Sequence, residues 1–304
     1  MNDFKKSYSF ILIITLLFTA QSINIIKTYD TVTFLKQSVD ISHYITYTSW
    51  NRNPETDLPR CYSGINFTVL NRDVEATNAH LTVILDKSSV IVDKERLEHG
   101  LNTITGCHII DEYEDFDIYH SLTYYITAKT ETTFIYGHSE STWKTIFPRW
   151  LDSKVASLYI TPSNPEVKEL ENSIAKPLGW LSLCNWVANN LKYENDYDVH
   201  GVSEYWQLPT ETIGLRTGDC EDYAILLCSL YRVSMYNEND VFVVLGYTAD
   251  SGHAWVKINL GFPLGWVSIE PQKGGILAII WGIIDLSTYS TAYEFNDVYF
   301  KVLK

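Results

Sequence analysis

The sequence predicts an all-β sandwich followed by an α+β domain in which helices pack on an antiparallel sheet. Three observations predict it. Up to about residue 145, short runs of alternating apolar residues are separated by Asn, Asp and Gly turns. From residue 165 the apolar spacing becomes helical, and beyond residue 240 the alternation returns. The chain has 304 residues, which accommodates two domains at about 150 residues each. Hydrophobic residues make up 46% and charged residues 20%, enough apolar material for a sizeable core and incompatible with a disordered, collagen-like or disulfide-dense chain. The formal charge of −14 and the pI of about 4.9, with no Lys/Arg run, exclude nucleic acid as a partner.

The first 22 residues read as a targeting segment. Lys5 and Lys6 precede the apolar run Phe10 to Ala20, and Ala20-Gln21-Ser22 supplies small residues for cleavage. Residues 1–22 are therefore expected to be a signal peptide. Extension of the apolar run through Ile26 gives the alternative of an N-terminal membrane anchor, with attachment through residues 10–26. Either way the protein is expected outside the cell or on its surface.

Residues 28–145 carry the β pattern: Thr31–Leu35, Gly64–Leu70, His80–Leu85, Ser121–Lys129 and Thr132–Tyr136. Such strands imply an antiparallel sandwich. The stretch Phe67 to Leu85 resembles immunoglobulin-like adhesion modules of surface proteins. Asn66-Phe67-Thr68 is a glycosylation sequon. The acidic run Asp111 to Asp117 lacks the spaced ligands and Gly of a calcium loop and reads as a solvated turn.

Residues 146–164, with Pro148 and Pro162 among polar residues, read as a linker. Ser163 then stands three residues before Glu166 at capping-box spacing, with Pro165 in the first turn. Val167, Leu170 and Ile174 mark one helix, closed by Pro177, and Trp180, Cys184, Val187 and Leu191 mark a second.

Five cysteines are present. Cys61 and Cys107, the two in the first half, are the candidate disulfide. Cys184 and Cys228 lie in helical apolar patterns, where a thiol acts as a small hydrophobe. Cys220 is set apart by what surrounds it. Gly218 allows a tight turn, Asp219 is a favoured N-cap, and Cys220, Ala224, Leu227 and Tyr231 follow along one face of an amphipathic helix. A thiol at a helix start feels the positive end of the dipole, which favours thiolate, whereas Glu221 and Asp222 oppose it. Activation therefore needs a base.

The base candidate is His253, which opens a strand after the turn at Asp250-Ser251-Gly252. A hairpin with a four-residue turn at 260–263 would place His253 directly opposite Glu270, about 5 Å apart on one face. A carboxylate there fixes the imidazole tautomer and supports its charged form. A slip of one residue would separate the pair.

Pro209-Thr-Glu-Thr212, Gly218-Asp-Cys-Glu-Asp-Tyr-Ala224, Gly252-His-Ala-Trp255 and Trp266 leading to Ile269-Glu270-Pro271 together resemble the transglutaminase-like superfamily of papain-like thiol enzymes. The resemblance covers about residues 165–275 and implies a papain-like transglutaminase domain over 165–304. It implies Cys220 as nucleophile, His253 as base and Glu270 as third member. The third position in this family is more often Asp, and Asp250 and Asp285 are the alternatives to Glu270.

On the thiol template, His253 takes the Cys220 proton and the thiolate attacks an amide carbonyl to give a thioester. The Cys220 N–H and a side chain of Trp206 or Gln207 are the candidate oxyanion donors. Water as acceptor makes a cysteine peptidase or amidase, and a Lys amine makes a cross-linking transglutaminase. The expected partner is a protein or peptide substrate, or a cell-surface polymer. No cofactor is implied, and the scattered His and Cys carry no zinc spacing. The competing class is a non-catalytic surface-binding or adhesion protein that keeps the fold as a scaffold. The apolar tail Gly274 to Ile284 reads as a buried strand, or two with a turn at Gly282, and Tyr289, Tyr293, Phe295, Tyr299 and Phe300 complete the sheet.

Overall fold

The structure is a computed structural model that describes residues 23–28, 31–36, 39–72, 75–85, 88–111, 117–129, 134–234, 236–247, 251–275, 277–284 and 289–303. The expected targeting segment 1–22 and the centre of the acidic run, 112–116, lie outside the described residues. The chain divides into two compact units, residues 1–49 with 61–146, and residues 50–60 with 147–304.

The first unit is all β. Strands β1 (Ile23–Thr28) and β2 (Thr31–Lys36) pair with each other. One further sheet joins β3 (Val39–Arg52), β4 (Pro59–Asn71) and β7 (Gly100–Asp111) in the order β3-β4-β7. Another joins β5 (Ala76–Leu85), β6 (Ser88–Leu97), β8 (Asp117–Lys129) and β9 (Phe134–Ile146) in the order β6-β5-β8-β9. The period-two pattern explains their faces. Ile65, Phe67 and Val69 of β4, Ala79, Leu81 and Val83 of β5, and Leu122, Tyr124 and Ile126 of β8 are buried, while Asn66, Thr68, His80 and Thr82 between them keep solvent access. These residues join Val39, Ile41 and Ile104 in one apolar cluster, so the two sheets face each other as a sandwich. Each large apolar side chain buried this way contributes about 1.5–3 kcal/mol.

The strand register corrects the expected disulfide. In the β4–β7 pair Cys61 stands opposite Asp111 and Cys107 opposite Ile65. Four residues of offset separate the two cysteines by roughly 13 Å along the strands, beyond the 4.4–6.8 Å Cα separation that a disulfide spans.

In the second unit, residues 147–164 are packed structure and not the expected linker. Phe147, Ala156, Tyr159, Ile160 and Thr161 are wholly buried, and a 3-10 turn spans Ala156–Tyr159. The β3–β4 connection holds this stretch: Arg52 donates to the Ser157 carbonyl at 2.6 Å and the Ile160 carbonyl at 2.9 Å. Two prolines among polar residues suggest a linker by composition, but the aromatic and aliphatic residues between them decide the outcome.

Helix α1 (Pro165–Ser173) is capped by Asn164 and not Ser163. Asn164 Oδ1 accepts from Glu166 N at 2.9 Å and from Val167 N at 3.4 Å. Helix α2 (Trp180–Asn190) buries Leu183, Cys184 and Val187. Strand β10 (Lys192–Tyr193), helix α3 (Asp196–His200), helix α4 (Pro209–Leu215) and strand β11 (Thr217–Gly218) lead into helix α5 (Cys220–Val233), with β10 and β11 paired parallel. Glu221 through Tyr231 are all buried. The helix expected to be amphipathic is thus enclosed all round, with α1, α2 and α4 packed on it as well as strands β12 (Val241–Tyr247) and β13 (Gly252–Asn259).

The sheet of this unit is antiparallel, in the order β14-β13-β12-β15-β16, with β14 at Trp266–Ile269, β15 at Ser290–Phe295 and β16 at Phe300–Val302. The tail expected as buried strand forms helix α6 (Leu277–Ile284) instead. An unbroken apolar run has no period to distinguish the two, and here Glu270 N donates to the Ala278 carbonyl, tying the helix start to the end of β14. Among the described residues, no helix is long and apolar enough to cross a membrane.

Candidate active site

Helix α5 delivers the thiol. Gly218 precedes it because a Cβ there would stand 2.6 Å from the Asp222 side chain. Asp222 is fully buried, and its oxygens accept from Asp219 N at 3.2 Å and Gln207 N at 2.8 Å. That carboxylate clamps the first turn and the 204–208 segment together. Cys220 is the first helical residue and half-buried, and its N–H has no acceptor within the helix.

Strand β13 delivers the imidazole. His253 is its second residue, and Glu270 follows the last residue of β14. The pairing sets Asn259 opposite Trp266 and Val256 opposite Ile269, a register two residues away from the one expected. Two residues is one full pleat, so the faces are unchanged. His253 Nε2 lies 2.7 Å from Glu270 Oε2. A carboxylate only accepts, so Nε2 carries the proton and Nδ1 is the basic nitrogen. Gln272 N donates to Glu270 Oε1 at 3.2 Å, and the ring of His253 meets Tyr289 edge-on at 5.7 Å. Asp250 and Asp285 lie outside the described residues.

Cys220 and His253 line one cavity of about 520 Å³, together with Tyr193, Glu204, Trp206, Asp219, Glu221, Leu245, Gly246 and Tyr247. A bulge between Leu245 and Gly246 shapes one wall, and a Cβ on Gly246 would meet the Ser290 carbonyl at 2.4 Å and the Trp255 ring at 2.6 Å. Only glycine fits there.

The electrostatics oppose thiolate. Burial raises the Cys220 pKa most, and the Glu221 and Asp219 charges add to it, while the Ala254 N–H works the other way. The thiol donates to Glu221 Oε2 at 3.2 Å. Burial, reinforced by Asp222, pushes Glu221 up to about 7, and burial together with Glu221 pushes Asp219 up to about 9. Asp196, held by Tyr205 N at 2.6 Å, is raised to about 7, by burial first and then by Asp219. The sequence does not reveal this gathering, because Asp196 and Glu204 arrive from a different part of the chain. Ligand atoms of Asp196, Glu204 and Glu221 lie within 4.8 Å of one another, as do those of Asp196, Asp219 and Asp222, and of Asp219, Cys220 and Glu221. Oxygen-rich sets of this kind suit hard cations such as calcium or magnesium, not zinc.

The two side chains expected as oxyanion donors are committed elsewhere. Trp206 lines the cavity, but its indole N–H donates to Glu204 Oε1 at 2.7 Å. Gln207 is fully buried off the cavity, with Nε2 3.2 Å from His200 Nε2. The segment carrying both is fixed by Arg149, which donates to the Trp206 carbonyl at 3.1 Å and to both Glu211 oxygens at 2.7 and 2.9 Å.

Residues 175–271 match the transglutaminase-like superfamily. The second unit carries a transglutaminase-like core. Solved structures similar to the chain include Legionella pneumophila LapG, at 19% identity and a TM-score of 0.36, over 52% of this chain and 91% of that one. The EGTA-treated LapG structure matches at the same identity and TM-score, over 52% of this chain and 88% of that one. The calcium-bound form also matches at 19% and 0.36, over 50% and 81%. No curated protein matches the chain. The transglutaminase-like match spans Cys220, His253 and Glu270, and it ends before helix α6.

Proposed function

We propose that the second unit is a thiol enzyme that attacks amide bonds, working as a cysteine peptidase or amidase through Cys220, His253 and Glu270. The observation that carries this reading is the 2.7 Å contact between His253 Nε2 and Glu270 Oε2 at a cavity that also exposes Cys220. Glu270 orients the ring and supports its positive charge, so that Nδ1 can withdraw the thiol proton. The thiolate then attacks the carbonyl, and the Cys220 N–H at the start of α5 donates to the developing oxyanion. The protonated imidazole passes its proton to the departing amine, and water releases the acyl group from sulfur. A Lys amine in place of water would make the same thioester a cross-linking intermediate. The reading includes export, on the strength of Lys5, Lys6 and the apolar run Phe10 to Ala20, with protein, peptide or surface polymer as substrate.

The second reading is a non-catalytic surface-binding scaffold. The hydrogen bond from Cys220 to Glu221 favours it, because a thiol shared with a carboxylate is held away from the thiolate form. Iodoacetamide labelling across pH 5–9, read per cysteine by mass spectrometry and paired with peptide hydrolysis, separates the two. Selective labelling of Cys220 that is lost in His253→Ala, with hydrolysis lost in Cys220→Ala, supports the enzyme. Labelling no faster than in the unfolded chain, and indifferent to His253→Ala, leaves the scaffold.

A further inference from the structure

We infer that the cavity at Cys220 selects substrates bearing a positively charged side chain, Lys or Arg, next to the amide that is attacked. The inference rests on the proposed thiol site and adds a substrate class to it.

Glu204, Asp219 and Glu221 line the cavity, and among the described residues no Lys or Arg does. Asp196 and Asp222 stand directly behind them. Among the described residues, none of these five carboxylates forms an ion pair with Lys, Arg or His, although Arg149, Lys192, Arg232 and Lys257 in the same unit are all paired elsewhere. Asp219 Oδ1 is buried with no hydrogen-bond partner in the described structure. Glu204 is the exposed member, and the Trp206 indole donates to its Oε1.

The walls suit the same guest. Tyr193 and Tyr247 line the cavity and are 50% and 56% exposed, presenting aromatic surface beside the carboxylates. Aromatic faces attract Lys and Arg heads, and their apolar bodies cover the methylene stem. A cation seated between Glu204 and Glu221 would meet opposite charge with no competing Lys or Arg among the described lining residues. It would also draw negative field away from Cys220. A basic substrate would therefore ease formation of the thiolate it is to meet, whereas an acidic one would oppose it.

The test uses charge-bearing thiol reagents on the full chain, in chelator-containing buffer so that no divalent cation neutralises the carboxylates. Modification of Cys220 by cationic (trimethylammonium-ethyl) and anionic (sulfonatoethyl) methanethiosulfonates is followed by mass spectrometry. The cationic-to-anionic rate ratio is compared with that of the urea-unfolded chain. The expected ratio exceeds the unfolded one by about tenfold or more, shrinks with added salt and falls several-fold in Glu204→Gln, an exposed site whose change leaves folding intact. A ratio equal to that of the unfolded chain, or one untouched by Glu204→Gln, overturns the inference. The readout does not depend on turnover. A large ratio without amide hydrolysis would uphold charge selection and remove the enzyme reading, and hydrolysis with no charge bias would do the reverse.

Discussion

The Cys220 thiol donates to Glu221, its own neighbour in the chain, across 3.2 Å. The thiol is thus shared between a helix dipole that favours thiolate and a carboxylate that opposes it. Substituting Glu221→Gln removes the largest charge opposing ionisation, second only to burial among the causes that raise the Cys220 pKa. The iodoacetamide pH profile of Cys220 should move to lower pH, with labelling at pH 7 faster by about threefold or more. An unmoved profile would show that the Glu221 charge does not set the thiol.

His253 and Glu270 should behave as a graded pair. His253→Ala removes the base and should lower amide hydrolysis by about 10²–10⁴-fold. Glu270→Ala should cost less, and Glu270→Gln, which keeps an acceptor oxygen for Nε2–H, should fall between Glu270→Ala and the parent. Steady-state kinetics on a peptide substrate orders the three. Equal activity in Glu270→Ala and the parent would remove Glu270 from the mechanism.

Acid should stabilise the second unit. Asp196 and Glu221 titrate near pH 7 and Asp219 near pH 9 in the folded protein, against about 4 for these groups in an unfolded chain. Between those values the folded state holds protons that the unfolded state has released, so stability falls as pH rises. The contribution is complete below about pH 4 and is lost through pH 7 to 9. Thermal melts in chelator-containing buffer should therefore show a higher Tm at pH 5 than at pH 8, with the difference reduced in Asp196→Asn. A melt that rises from pH 5 to pH 8 would contradict the assignment.

Arg149 is 7% exposed and holds the Trp206 segment through Glu211 and the Trp206 carbonyl. Arg149→Ala leaves Glu211 without its cation and should destabilise by about 3 kcal/mol, the low end for a broken buried pair because Glu211 stays 24% exposed. Urea denaturation measures it, and a change under 1 kcal/mol would mean that water replaces the guanidinium.

How far the sequence reached is set by the range of the interactions. Cys220, His253 and Glu270 were legible because each sits at the edge of a locally coded element: a Gly-Asp turn into a helix, a strand after a turn, and the end of the next strand. The hairpin register differs by two residues from the one the sequence predicts, yet strand faces repeat every two, so His253 and Glu270 still meet. Trp206 lines the cavity and Gln207 lies off it, and the hydrogen bonds that commit both depend on Glu204 and His200, which no local pattern specifies. The same holds for Asp196, which reaches the cluster only through the fold. Helix α6 is not legible because a run of apolar residues has no period, and the packing of residues 147–164 is not because their prolines mask the aromatic residues beside them.

Enclosure of α5 along almost its whole length has a consequence for timescale. A helix packed on every side opens only when the unit does, so its amide protons from Ala224 to Tyr231 should be the last to exchange with solvent. The sulfur stands at the start of that enclosed helix. Adjustment to a substrate then falls to the loop-borne walls around it, the 204–208 segment and the strand ends near Gly246 and His253. Cys220 is the fixed point of that cavity.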